Sequence, residues 1–81
     1  METLVFRQLI EVGAIRSVAA KGVPGGFALV AYTDAGEHIL SAQRGHSRVF
    51  KHLDTVASFL REIGLNRFTV DLDNWASTGL L

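Results

Sequence analysis

The sequence has no cysteine and only one proline, one tryptophan and one tyrosine. Without cysteine there is no disulfide framework, no thiolate nucleophile and no cysteine-based zinc site. Net charge is missing as well, because eight Lys and Arg balance eight Asp and Glu. No general field therefore draws the molecule to DNA or to an anionic membrane, and nucleic-acid binding would have to come from a local patch. Long apolar runs are also absent. The opening "METLVFRQLIEVG" is interrupted by Arg7, Gln8 and Glu11, so it offers neither the apolar core of a signal peptide nor the length of an anchor. The expectation is a cytoplasmic protein with no membrane partner.

What is present is an apolar chain able to fold. The 48% hydrophobic fraction against 20% charged excludes general disorder. Residues 1–81 make a single α+β domain, with 1–2 and 77–81 expected to fray. A chain this short buries only about 60–65% of its unfolded surface, so its surplus apolar side chains suit closure against a partner or a second copy.

Periodicity gives the order α-β-β-β-α-β. From Thr3 to Gly13, Val5, Phe6, Leu9, Ile10 and Val12 form an apolar stripe, with Thr3 as cap and Gly13 as stop. The arc is wide for so short a helix, which leaves open whether it packs on its own sheet or on another subunit. "AIRSVAAKG", "FALVAYT" and "EHILSAQ" read as a meander joined by "VPGG" and "DAG". Pro24 and Gly25 suit a type II turn, and Gly36 suits the left-handed position of a three-residue hairpin loop. Val56, Phe59, Leu60 and Ile63 then fall at i, i+3, i+4 and i+7, with Asp54 as cap, Leu53 as staple and Gly64 as terminator. In "RFTVDL", Phe68, Val70 and Leu72 alternate inward with Thr69 and Asp71 outward, and Trp75 docks beyond them. The architecture expected is an antiparallel sheet, a three-stranded meander plus a C-terminal strand, with both helices on one face and the other face partly open.

Catalytic signatures are weak. His46, Ser47 and Asp54 contain the letters of a triad, but adjacent residues rarely face one another and no nucleophile elbow accompanies them. His38, His46 and His52 are spaced irregularly, with no i, i+4 pair on a helix, so no metal site is expected. "GVPGG" has no lysine or helix behind it and reads as a hairpin turn rather than a phosphate cradle. No enzyme and no cofactor are expected.

One segment stands apart. Arg44, His46, Arg48, Lys51 and His52 lie in a connector, 44–52, that contains no acid and runs from a strand into a helix. Guanidinium forks there suit a phosphate or an acidic partner, Gly45 permits close backbone approach, and the helix start adds partial positive charge. Basic loops are also ordinary solvated surface, and the residues alone do not decide between the two. Phe50, between the charges, reads as a core anchor that pins the connector to the sheet.

The runs "VPGGF", "AQRGHSRVFKHLDTVASFLREIG" and "RFTVD", within about residues 13 to 75, resemble a small family of ParC-type partition-associated proteins of plasmids and integrative elements. The resemblance implies a non-enzymatic bacterial accessory protein working beside a partition ATPase and a DNA-binding adaptor. It implies no active site. Three strands followed by a helix through "RVFKHLDTVASFL" also look like the arm-binding domains of tyrosine recombinases, which lay a sheet in a DNA groove. Asp34 and Glu37 on the hairpin depart from the basic character of those domains. The expected partners are thus a partition-complex protein or a second copy in a homodimer. The alternative is DNA, bound through the connector and the hairpin face.

Overall fold

The computed structural model describes residues 1–41, 47–73 and 75. Two helices and a five-stranded sheet follow the order α1 (Thr3–Glu11), β1 (Ser17–Val23), β2 (Gly26–Thr33), β3 (Gly36–Ile39), β4 (Val49–Phe50), α2 (Leu53–Glu62) and β5 (Thr69–Asp71). The α+β class is as the periodicity indicates. The sheet differs in detail. Its main path is β3-β2-β1-β5, while β4 pairs with the same side of β2 as β3 does, lower down the strand.

The C-terminal strand was expected in an antiparallel sheet, but β5 runs parallel to β1, with Ala20 opposite Val70 and Lys21 opposite Asp71. The cause lies in β4. This two-residue strand is antiparallel to β2, so it shares the direction of β1. The ten residues of α2 then carry the chain back along the sheet, and β5 starts again in the same direction, as parallel pairs joined by a helical crossover require.

Both helix ends follow from glycine. Gly13 (φ 74°) donates to the carbonyl of Ile10 while Ala14 donates to that of Leu9. Gly64 (φ 101°) repeats the pattern, donating to Arg61 while Leu65 donates to Leu60. Each is a Schellman closure, in which a left-handed residue satisfies the last carbonyls of the helix. The helix starts are plainer than expected. Glu2 and His52, not Thr3 and Asp54, occupy the N-cap positions, and neither makes a side-chain cap bond. Asp54 sits inside the first turn of α2, where its charge still complements the helix dipole.

The core lies between the helices and one face of the sheet. Val18 and Ala20 of β1, and Phe27, Leu29 and Ala31 of β2, point toward Phe6 of α1 and Val56, Leu60 and Ile63 around α2. Helix α1 therefore packs on its own sheet. Its stripe is narrower than the sequence suggests: Phe6 is buried and Ile10 packs on the core, while Val5 and Val12 stay exposed. Val70 and Leu72 were also expected inward. Val70 does share the core face with its partner Ala20, but it is 41% exposed and Leu72 52%. Phe68 alone of the three packs on the core.

Two glycines are required by contact. A Cβ on Gly26 (φ 151°) would strike the carbonyl oxygen of Phe50, because β4 crosses directly against it. A Cβ on Gly22 would strike Trp75, whose ring stacks on Phe27 at 5.8 Å between centroids, as the expected docking of Trp75 implies. The hairpin at Asp34–Ala35 is tighter than expected, since Gly36 already pairs with Thr33. Residues 77–81 lie outside the described residues, and residue 1 is not frayed. The Met1 nitrogen donates to the Ile39 carbonyl at 3.0 Å, and the Met1 carbonyl accepts from Ser41 N at 2.6 Å.

Candidate binding surface

The connector is flanked by an antiparallel bridge of Ser41 with Ser47 and by Arg48 N donating to the Leu40 carbonyl at 3.0 Å. Arg44 and His46 fall in residues 42–46, outside the described residues. Arg48, Lys51 and His52 are described, and they have different fates.

Arg48 is half-buried. Its guanidinium carbon lies 4.8 Å from the ring centroid of Phe50 and 4.8 Å from that of Phe59, and Nη1 donates to Thr3 Oγ1 at 3.4 Å. Phe59 in turn stacks on Phe6 at 6.4 Å and meets Phe50 at 5.4 Å. A planar, weakly hydrated cation is well suited to such a place, because it can give its faces to the rings and its edge to water. Arg48 thus joins β4, α2 and the start of α1. Phe50 is buried, as the core-anchor reading expects.

Lys51 and His52 are exposed and immediately precede α2, His52 at its N-cap position. Neither has a side-chain hydrogen bond or ion pair among the described residues. They stand free to meet an anion, yet Asp54 lies two residues on in the same first turn.

The sheet face away from the helices carries the second set of polar groups. Its middle is floored by Ala19, Ala28 and Val30, all buried although no helix covers them. Lys21 and Tyr32 explain this. The register places the Ala19–Val30 pair between them, and the two side chains meet across it. The Lys21 ammonium is held above its ordinary pKa by the Tyr32 phenol first, then by Glu37 on β3 and Asp71 on β5. Two acids thus flank one cation, and the exposed side chains of Ile39 and Val49 complete the surface. At the hairpin tip Arg16 pairs with Asp34, both largely exposed. Such a face is apolar in its middle and slightly acidic at its edges. Sequence reading missed this cluster because Lys21, Tyr32, Glu37 and Asp71 come from four strands, and only the parallel pairing of β5 brings Asp71 to Lys21.

A cleft of about 950 Å³ opens where the parallel strands β1 and β5 begin, between Ile15–Val18 and Leu65–Thr69. Arg16 and Arg67 stand along it. No helix among the described residues is long and apolar enough to cross a membrane.

Residues 1–79 match a protein-family model described as ParC-like. The chain belongs to the ParC-like family. The match takes in α1 as well as the sheet and α2, so the likeness is wider than the 13–75 read from the sequence. No curated protein and no solved structure matches this ParC-like chain.

Proposed function

We propose that this ParC-like chain is a small, non-enzymatic accessory protein of a plasmid or mobile-element partition or maintenance system, acting in the bacterial cytoplasm by binding protein. The observation that carries the reading is how the cations are used. Arg48 is held by two aromatic rings and Arg16 by Asp34, while Lys21 sits between Glu37 and Asp71. Little positive charge remains for a nucleic-acid backbone on the hairpin face. On that face the apolar side chains Ile39 and Val49 stay exposed instead, over the apolar floor of Ala19, Ala28 and Val30, and apolar surface of this kind suits protein contact.

DNA binding through the connector keeps support from Lys51 and His52, whose side chains are exposed and have no hydrogen bond or ion pair among the described residues. One titration separates the readings. The protein is titrated with duplex DNA at two salt concentrations, and with a partition ATPase and a DNA-binding adaptor of the kind the proposal names. The proposal expects saturable binding to one of those proteins and none to duplex DNA at low salt. Three phosphate contacts would instead give binding that weakens roughly fortyfold between about 50 and about 200 mM salt. That result, lost when Arg44, Arg48 and Lys51 are changed to Ala, would replace protein binding with the DNA reading.

A further inference from the structure

The two sides of the sheet end differently. Along β3 the edge is closed by Met1, which exchanges hydrogen bonds with Ile39 and Ser41. Along β5 nothing among the described residues pairs with the outer backbone of Thr69–Asp71, and the adjacent Val70 and Leu72 remain exposed. Natural sheets usually protect such an edge with a lysine, a proline or a bulge, because it is a ready template for another strand. "FTVDL" contains no lysine and no proline, and what guards it is its shortness and the charge of Asp71.

The residues around this edge match their own reverse. If a second copy lies antiparallel to β5 with Val70 at the twofold axis, Val70 meets Val70. Thr69 then meets Asp71, and just beyond the strand, where the chain turns between Leu72 and Trp75, Phe68 lies toward Leu72 and Arg67 toward Asp73. Every apolar residue meets an apolar one and the hydroxyl meets a carboxylate. No like charges oppose each other, although two acids lie within three residues. Arg67 and Asp73 also have no side-chain partner among the described residues, so each is available to the other across the axis. The faces agree as well. A twofold axis perpendicular to the sheet keeps both copies' helices on one side, and Val70 and Leu72 on that side are exposed.

We infer that the β5 edge is a self-association surface, through which two copies join their sheets antiparallel about Val70. This stands whether or not the chain serves a partition system. The strand is three residues long and the buried area correspondingly small, so the dimer belongs to the weak class, with micromolar or weaker affinity.

Sedimentation equilibrium on the full chain, from about 10 µM to about 1 mM, covers the range where so small an interface assembles. The mass should rise from 8.8 kDa toward twice that value. Val70→Lys, which sets two ammonium groups face to face at the axis, should weaken association by at least roughly thirtyfold while leaving the circular dichroism unchanged. Arg67→Glu and Asp73→Arg should each weaken it, and the double variant should recover most of the loss. A chain that stays monomeric throughout overturns the proposal, as does a dimer indifferent to Val70→Lys. A double variant no better than either single one overturns the register.

Discussion

The two sides of this sheet are built from similar residues but are finished in opposite ways. On the β3 side, β2 is covered along its length, by β3 from Val30 to Thr33 and by β4 at Phe27 and Ala28, and Met1 closes the margin beyond. Behind it stand Phe6, Phe50 and Phe59 with Arg48 laid over two of the rings. On the β5 side a three-residue strand holds to β1 by parallel pairing, with Val70 and Leu72 uncovered and Lys21 opposite Asp71 in the register. The first side carries the stability of the fold. The second is left open for a partner.

The largest effect should come from spoiling the closed side. Gly26→Ala places a methyl group against the Phe50 carbonyl at a backbone angle that alanine resists, so β4 must separate from β2. Strain and overpacking together should cost about 2–4 kcal/mol in urea unfolding. A loss below about 0.5 kcal/mol, the ordinary range for surface changes, would show that β4 is not held against Gly26.

Arg48→Ala comes next. It removes the cation from both rings and the bond to Thr3, for an expected loss of about 1–2 kcal/mol. Arg48→Lys should recover only part of that, because an ammonium cannot stack as a guanidinium does. Full recovery in the same unfolding experiment would mean that charge alone, and not the planar contact, holds the connector.

The smallest effect belongs to the open side and depends on pH. Since the folded-state pKa of Lys21 lies above its ordinary value of 10.5, its contribution is fully present below that pH and is lost as pH rises through the higher folded value. Stability differences between the native chain and Lys21→Met should therefore be flat through neutral pH and shrink only in strong alkali. A difference that instead changes between neutral pH and weak alkali would contradict the cross-strand arrangement.

Much of the closed side was legible in the sequence. The i, i+3, i+4, i+7 spacing of Val56, Phe59, Leu60 and Ile63 marks α2, and Gly13 and Gly64 mark both helix ends. These are local signals, set by neighbours within a turn or two. The open side was read less well. Alternation correctly put Phe68, Val70 and Leu72 on one face, but a pattern says where side chains point, not whether anything covers them. The parallel pairing of β5 depends on α2 returning the chain along the sheet, and no residue near position 70 records that. For the same reason Val5 and Val12 belong to the stripe by spacing yet lie outside the contact, which is centred on Phe6 and Ile10. The connector was recognised as basic, but the seating of Arg48 between two rings joins residues from three elements and has no short-range signature.

The contrast between the edges is tested most directly by amide hydrogen exchange, followed by mass spectrometry at dilute and at concentrated protein. The account predicts that peptides covering Ile39–Ser41 are protected equally at both concentrations, since Met1 closes that edge within one chain. Peptides covering Thr69–Asp71 should exchange quickly when dilute and gain protection when concentrated. Protection at Thr69–Asp71 that does not change with concentration, or free exchange at Ile39–Ser41, would contradict it.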